Sequence, residues 1–569
     1  MQNKIWLKRR EDISRDTIAE FAADHGLPPL IATVLLNRGI TDAEKVNAYL
    51  KKTLDGIHNP YLLPDMQAAV DRILPAIASG EKIVVYGDYD VDGITATALL
   101  VHFLRGIGAN VDYYIPDRKN EGYGINVKAI SQLSKLGTKL MVTVDCGITA
   151  TGEVELAKTM GMDVIVTDHH LCKEKLPNAI AVVDAKRPDS EYPFDALAGV
   201  GVAFKLMLAV VKALGKSTKE YFFRYVDFAA IGTIADVVTL LDENRVIVEK
   251  GLAKLANSEY IGIRTLIETA GLNKKPVDST AIAFSIAPRL NATGRLGSAK
   301  TAVELLLCEE EEKARELAQQ LEQENLERRE TEQIILKEAQ ELIAQDADFD
   351  KKQVIVLAKR DWHHGVIGIV ASRIHDLYYR PCIIISLDEK GNGKGSGRSI
   401  PGLNLFEALE DSQELLTNYG GHAAAAGLGI AEEDLEAFTA RINAYANSIL
   451  TEEDKIPKIL IDSELGIRHI TLENAKLLSC LEPFGTDNEK PVFCIRNVPV
   501  SQVARVGAEG IHLRLVLAEG VQAVWFRMGA VADALKPGDR VDVAFSLEVN
   551  AFREKEMPQM MIRDLKKRA

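Results

Sequence analysis

The chain has 569 residues, and at about 150 residues per domain that length predicts three or four domains. Apolar residues make up 47% and charged residues 26%, close to ordinary folded water-soluble chains, which excludes disordered, collagen-like and mucin-like classes. With 68 Lys and Arg against 82 Asp and Glu the net charge is −14, which excludes a general positive coat for nucleic acid or membrane, so any phosphate binding must be local.

Residues 1–50 read as a small helical lead-in, with LPP and NRGITDAEK as turn and helix-start signals. From Lys82 to Asp184 the strand-like runs KIVVYG, NVDYYI, LMVTVD and DVIVT alternate with helical stretches, near Val127 to Lys135 and Glu153 to Met160 among them. Apolar runs without polar alternation predict strands covered on both faces, hence an α/β fold with a mostly parallel, doubly wound sheet. Helical patterns continue to about Leu307. The Glu-, Gln- and Leu-rich stretch Glu309 to Ala344 has no Pro or Gly and reads as a long solvated connecting helix. Its heptad is interrupted by Glu324, Arg328 and Glu338, which disfavours a coiled coil. QVIVLAK, CIIISLD and the Gly-rich GNGKGSGRSIPG open a second α/β domain, and from Lys455 short alternating strands predict a small β-barrel. The predicted division is a lead-in 1–50, a first α/β domain 51–308, a connecting helix 309–349, a second α/β domain 350–450 and a barrel 455–569.

Cys146, Cys172, Cys308, Cys382, Cys480 and Cys494 form no CxxC pair, which fits a reducing cytoplasm. The charged opening MQNKIWLKRREDISRD predicts no export signal. The most apolar stretch, Ala198 to Leu214, is broken by Lys205 and Lys212, so no membrane span is expected.

The chemistry begins at Asp88-Tyr89-Asp90-Val91-Asp92-Gly93. A calcium loop is rejected, because position 12 is Leu99 and a strand precedes the loop where a helix should stand. The spacing instead points carboxylates to one side at a strand's C-terminal end, where open α/β sheets hold ligands. Two further strands run into Asp145-Cys146-Gly147 and Asp168-His169-His170, and Asp236 sits in IADVVTL. Each acid alone reads as a helix cap or turn former. Asp90, Asp92, Asp145 and Asp236 gathered at one edge would need compensating cations to stay ionised. Four carboxylates with an imidazole suit Mn²⁺ better than Mg²⁺ or Ca²⁺, and the ligand count suggests two ions. Such a pair clamps a phosphoryl group and lowers the pKa of a bridging water, which points to phosphoester hydrolysis.

DYDVDG, VDCGIT, TDHH and IADVVTL resemble, in order, the four motifs of the DHH phosphoesterase superfamily. With APRLNATGR, WHHGVIGIVASR, GSGRSIPGLN and NYGGHAAAAGL also in order, nearly the whole chain is similar to the superfamily's bacterial 5′-to-3′ single-strand-specific DNA exonucleases. That resemblance implies metal ligands at Asp90, Asp92, Asp145, His169 and Asp236, with Asp145 bridging. It implies further active-site roles for His170, toward the scissile phosphate or leaving oxygen, and for Asp88, in positioning the loop.

The segment Gly391 to Ser399 fits neither a Walker loop nor GxGxxG. Backbone N–H groups freed at Gly393, Gly395 and Gly397, beside Ser396 and Arg398, would make an anion nest, and the plainer alternative is an exposed hairpin turn. The resemblance favours the nest and implies that it holds a 5′-terminal phosphate together with Arg118, while Arg289 and Arg295 are candidates for backbone phosphates. His422 reads equally as a core histidine or a contact to a closely approaching nucleotide. Trp362 reads as core and His363 as a substrate contact, and His364 stands where relatives often carry a basic residue. The barrel resembles an OB-fold, with Trp525, Phe526, Phe545 and Phe552 as its few candidate aromatics for base stacking. In PFGTDNEKPVF, Asp487 replaces an expected Gly.

The expected function is 5′-to-3′ degradation of single-stranded DNA to 5′-mononucleotides, in recombination and repair, with the strand threading between the two α/β domains. A single-stranded-DNA-binding protein and a RecQ-type repair helicase are partners implied by the resemblance alone. A phosphodiesterase for cyclic dinucleotides or short oligonucleotides is the first alternative, disfavoured by the barrel. A non-catalytic replication scaffold is the second, disfavoured by the intact acidic set.

Overall fold

The computed structural model describes residues 4–118, 121–122, 124–273, 276–552 and 555–568. The chain forms two compact units, the larger built from Trp6–Ala287, Ala302–Ala318 and the residues from Ile459 onward, the smaller from Pro288–Thr301 and Gln319–Lys458 with the first few residues.

In the larger unit five short runs make one parallel sheet: β1 (Ile83–Gly87), β2 (Val111–Tyr114), β3 (Leu140–Val144), β4 (Asp163–Thr167) and β5 (Ala181–Val183). Their spatial order is β2-β1-β3-β4-β5. The first four are the expected strands, and β5, three residues long, is too short for periodicity to reveal. Every residue of β1 and β3 is buried because both faces are covered. Val84, Tyr86 and Met141 pack toward the helices Val127–Lys135 and Thr151–Thr159. The helices α1 (Val91–Gly106) and α2 (Gly199–Ala213) cover the opposite face, and α3 (Thr218–Ala235) packs on both. The doubly wound sheet is therefore present, and its order reverses between β1 and β3. That switch point opens a crevice at the strands' carboxyl ends.

In the smaller unit β6 (Ile355–Arg360), β7 (Cys382–Leu387), β8 (Asn392–Arg398), β9 (Asn418–His422) and β10 (Ala425–Ala431) are ordered β9-β10-β8-β7-β6. The Gly-rich segment is thus a central strand, paired antiparallel with β7 on one side and β10 on the other. This corrects both the turn and the anion nest, since the ladder uses the backbone N–H groups that a nest would need. Glycine serves close packing here: a Cβ on Gly397 would lie 2.7 Å from Leu405 Cδ2, and one on Gly395 2.8 Å from Leu428 Cγ.

The long helix is present as α4 (Glu311–Gln345), but it is not solvated all round. Within the smaller unit Ile335, Ala339 and Ile343 share a core with Ile355, Trp362 and Val366. Two of the residues that interrupt the heptad make specific contacts. Glu338 accepts from Trp362 Nε1 at 2.7 Å, and Arg328 donates to Glu332 at 2.9 Å, which also accepts from Arg373 at 3.1 Å.

The C-terminal strands β11 (Phe493–Val506), β12 (His512–Leu517), β13 (Gln522–Trp525), β14 (Arg540–Phe552) and β15 (Lys555–Lys567) close into a five-stranded barrel. The order is β11-β12-β13-β15-β14 and back to β11, with β13 and β15 parallel. Phe545 is fully buried in the barrel's core, which removes it from the candidates for base stacking. Trp525 is half-buried, Phe526 is 57% exposed, and the Phe552 side chain lies outside the described residues. The N-terminal helices contribute Phe21, Ile31, Leu35 and Tyr49 to the same core, a partnership across more than 400 residues of sequence that no local pattern signals. Among the described residues no helix is long and apolar enough to cross a membrane.

Candidate metal centre and phosphate contacts

The carboxyl ends of β1, β3 and β4, with the end of α3, bring the predicted acids and histidines together. Among the described residues three groups could each hold a cation: Asp88, Asp90 and Asp145; Asp92, His169 and Asp236; Asp145, His169 and His170. In each, ligand atoms lie within 4.8 Å of one another. Asp90 is the N-cap of α1, its Oδ1 accepting from the N–H groups of Asp92 at 2.9 Å and Gly93 at 3.2 Å. The cap and the cluster are thus built by one residue. Asp92 is buried two residues further on, in the first turn of α1, and accepts from Gly199 N–H at 2.6 Å and Val200 N–H at 2.7 Å, at the N-terminus of α2, where the helix dipole favours negative charge. Asp145 follows β3 in a left-handed conformation, φ +60°. Gly199 lets the helix approach it, because a Cβ there would lie 2.6 Å from Asp145 Oδ1.

The electrostatics of this cluster favour cations. Burial, then repulsion among Asp88, Asp90, Asp92, Asp145 and Asp236, raises Asp92 and Asp145 well above the usual carboxylate range. Burial and Asp90 do the same to Asp88, and push Asp236 up to about 7. Among the described residues Asp88 Oδ1, Asp236 Oδ2 and His169 Nε2 are buried without a hydrogen-bond partner. His169 Nε2 stands 3.1 Å from Asp145, 3.7 Å from Asp236 and 3.9 Å from Asp92. Burial and the neighbouring His170 lower His169 to about 3, so its imidazole is neutral and a lone pair is available. Unsatisfied ligand atoms, mutually repelling carboxylates and a neutral imidazole fit divalent metal.

Asp168, named in the sequence at the end of a strand but given no role there, makes specific contacts in the structure. It is buried and accepts from Ile148 N–H at 2.8 Å, His170 N–H at 3.2 Å and His170 Nδ1 at 2.7 Å. Burial opposes both shifts, but this partnership lowers Asp168 and raises His170 from their ordinary values, and it fixes the orientation of His170. The signal was in the sequence, since Asp168 precedes both histidines at the end of β4. The backbone donors Gly199 and Val200 carry no such local signal. Arg118 lies over the Tyr89 ring, 5.0 Å from its centroid, and its charge draws Asp88 downward against burial.

In the smaller unit Arg398 and Ser396 sit on β8. Arg398 Nε donates to Ser372 Oγ at 3.1 Å, and its Nη1 donates to Ser396 Oγ at 3.3 Å and to Gly397 O at 2.7 Å. Among the described residues no carboxylate pairs with Arg398, so its charge is held by neutral groups and left uncompensated. His422 is exposed at the end of β9, in register through Ala425 with Arg398, which excludes the core reading. His363 is half-buried and stacks on His364 with centroids 5.1 Å apart, and Trp362 is core as expected. Arg289 is paired with Glu322, and Arg295 Nη1 donates to Gly365 O at 2.8 Å, so both have structural anchors.

Family models match three stretches of the chain: the DHH family N-terminal domain at 82–233, the DHHA1 domain at 351–448 and the RecJ OB domain at 461–564. The single-stranded-DNA-specific exonuclease RecJ of Bacillus subtilis is 39% identical over 563 residues, covering 98% of this chain and 70% of that protein. Its namesake from Haemophilus influenzae is 37% identical over 579 residues, covering 98% of each. The crystal structure of RecJ in complex with Mn²⁺ from Thermus thermophilus superposes with a TM-score of 0.84 at 32% identity, covering 99% of this chain and 79% of that one. Ordered DHH, DHHA1 and OB domains, with near-complete coverage at this identity, place the chain in the RecJ family of DHH proteins.

Proposed function

We propose that the chain is a single-stranded-DNA-specific exonuclease that works from the 5′ end and releases 5′-mononucleotides, using two divalent ions, Mn²⁺ in preference to Mg²⁺. The observation that carries this reading is the overlap of the ligand groups, with Asp145 and His169 each belonging to two of the three. Asp90, Asp92, Asp145, His169 and Asp236 would hold the ions, Asp145 between them, and the imidazole in the set favours Mn²⁺. When bound, such ions offset the phosphate's charge and make hydroxide available at neutral pH.

The chain's own residues supply the rest. Asp168 keeps His170 charged and aimed, so its Nε2–H donates to the scissile phosphate or to the departing 3′ oxygen. Asp88 fixes the loop between β1 and α1. In the larger unit Arg118, backed by Tyr89, is assigned to substrate phosphate. In the smaller unit Ser396 and Arg398 take the 5′-terminal phosphate, with His363, His422, Arg289 and Arg295 along the backbone. Of the arginines there, Arg398 is better suited than Arg289, whose charge is already met by the Glu322 carboxylate. In this reading the protein acts in the cytoplasm, on strands handled by a single-stranded-DNA-binding protein and a RecQ-type helicase.

Kinetics on 5′-phosphorylated and 5′-hydroxyl strands test the phosphate assignment. Arg398→Ala is expected to lower kcat/KM on the phosphorylated strand about 10-fold or more, as loss of a charge-assisted contact should, and to change the hydroxyl strand little. An undiminished preference for the 5′ phosphate would contradict it.

A further inference from the structure

The loop that follows Asp236 is held from the barrel side of the larger unit. Val237 lies in the left-handed region, φ +61°, where a β-branched residue is strained, and its side chain is 68% exposed, so packing does not hold it there. Hydrogen bonds do. Thr486 Oγ1 donates to the Val237 carbonyl at 2.9 Å, and Leu240 N–H donates to the Thr486 carbonyl at 2.9 Å, so one residue grips both ends of the segment Val237–Leu240.

Thr486 is itself rigidly placed. It sits in a tight turn closed by reciprocal backbone bonds between Gly485 and Asn488, of 3.0 and 3.1 Å. Asp487 takes the turn's left-handed position, φ +57°, which answers its departure from the expected Gly. Asn488 is buried, donates to Pro483 O at 2.7 Å and accepts from Tyr49 OH at 2.6 Å. The buried Arg245 donates to Pro483 O at 3.3 Å, and Ser279 Oγ to Phe484 O at 2.6 Å. A network this fully bonded, ending on a strained peptide beside Asp236, has the form of a support for that carboxylate.

We propose that the turn Gly485–Asn488 is a positioning element of the metal centre, with Thr486 as the positioning residue that holds the Val237–Leu240 segment and so fixes the direction of Asp236. This rests on the assignment of Asp236 as a ligand. It makes the segment leading into the barrel part of the catalytic apparatus as well as of a DNA-binding module.

The test compares Thr486→Val, Thr486→Ala, Thr486→Ser and the double change Thr486→Val with Val237→Gly in the full chain. Mn²⁺ affinity is read by calorimetry without DNA, together with Tm and with kcat and KM on single-stranded DNA. Removing the hydroxyl is expected to weaken Mn²⁺ binding about three- to tenfold and to lower kcat similarly, with KM for DNA within about twofold. Thr486→Ser restores both, and Val237→Gly restores part, because glycine adopts left-handed backbone unaided. Unchanged Mn²⁺ affinity in either folded variant lacking the hydroxyl, or failure of Thr486→Ser to restore it, overturns the proposal. Thr486→Ala provides the reading if the valine does not fold. A parent chain inactive on DNA would instead count against the exonuclease reading, because Mn²⁺ affinity is measured without substrate.

Discussion

Asp145→Asn is expected to lower kcat by about 10³-fold or more while single-stranded DNA is still bound, since a lost metal ligand forfeits several kcal/mol of transition-state stabilisation. Asparagine keeps the size of the side chain and tolerates the left-handed backbone at this position, so the effect isolates the charge. The same substitution also changes the stability of the metal-free protein. In metal-free protein Asp145 is buried beside Asp92, Asp90, Asp88 and Asp236, and burial followed by their charges pushes its carboxyl up. Removing one charge from that crowd relieves repulsion, so the metal-free variant should melt at or above the parent's Tm. Mn²⁺ should then raise Tm more in the parent than in the variant. Thermal melting with and without Mn²⁺, alongside single-turnover cleavage, checks the stability and the rate. A variant that retains turnover would remove Asp145 from the bridging position.

His170→Ala should cost about 10²- to 10³-fold in kcat with little change in KM for DNA, the range for losing a positioned proton donor. The structural reason is the division of labour within Asp168-His169-His170. His169 is neutral, buried and turned toward Asp92, Asp145 and Asp236, whereas His170 is paired with Asp168 at 2.7 Å and partly exposed. Asp168→Asn should lose part of the same factor. The double variant should be scarcely worse than His170→Ala alone, because the two residues act as a unit. Rapid-quench kinetics on the four proteins measures the coupling, and fully additive losses would show that Asp168 acts independently of His170.

The parallel sheet and the gathering of acids and histidines at its edge were legible in the sequence for one physical reason. Short strands buried on both faces leave unbroken apolar runs, and the acids of a switch-point crevice stand immediately after those runs, as Asp88, Asp145 and Asp168 do. What stayed hidden depends on tertiary approach. GNGKGSGRS carries every local mark of a turn, yet Leu405 and Leu428 press so close to it that only glycine fits and the segment becomes a central strand. Phe545 reads as an available aromatic because period-two alternation does not say which face of a closed barrel is inside. Asp168 was visible as a residue but not as a partner, since the Nδ1 bond to His170 is a matter of rotamer. The heptad-breaking residues of α4 reveal their use only when Glu338 meets Trp362 and Arg328 meets Glu332.

The central claim is polarity on single strands, and product analysis on end-labelled DNA tests it most directly. A 5′-phosphorylated single strand labelled at its 5′ end should release labelled 5′-mononucleotide at once with Mn²⁺. The same strand labelled at its 3′ end should shorten progressively before any label appears as mononucleotide, and blunt duplex should persist. Immediate release of mononucleotide from the 3′ end, or cleavage of duplex as fast as single strand, would contradict the account.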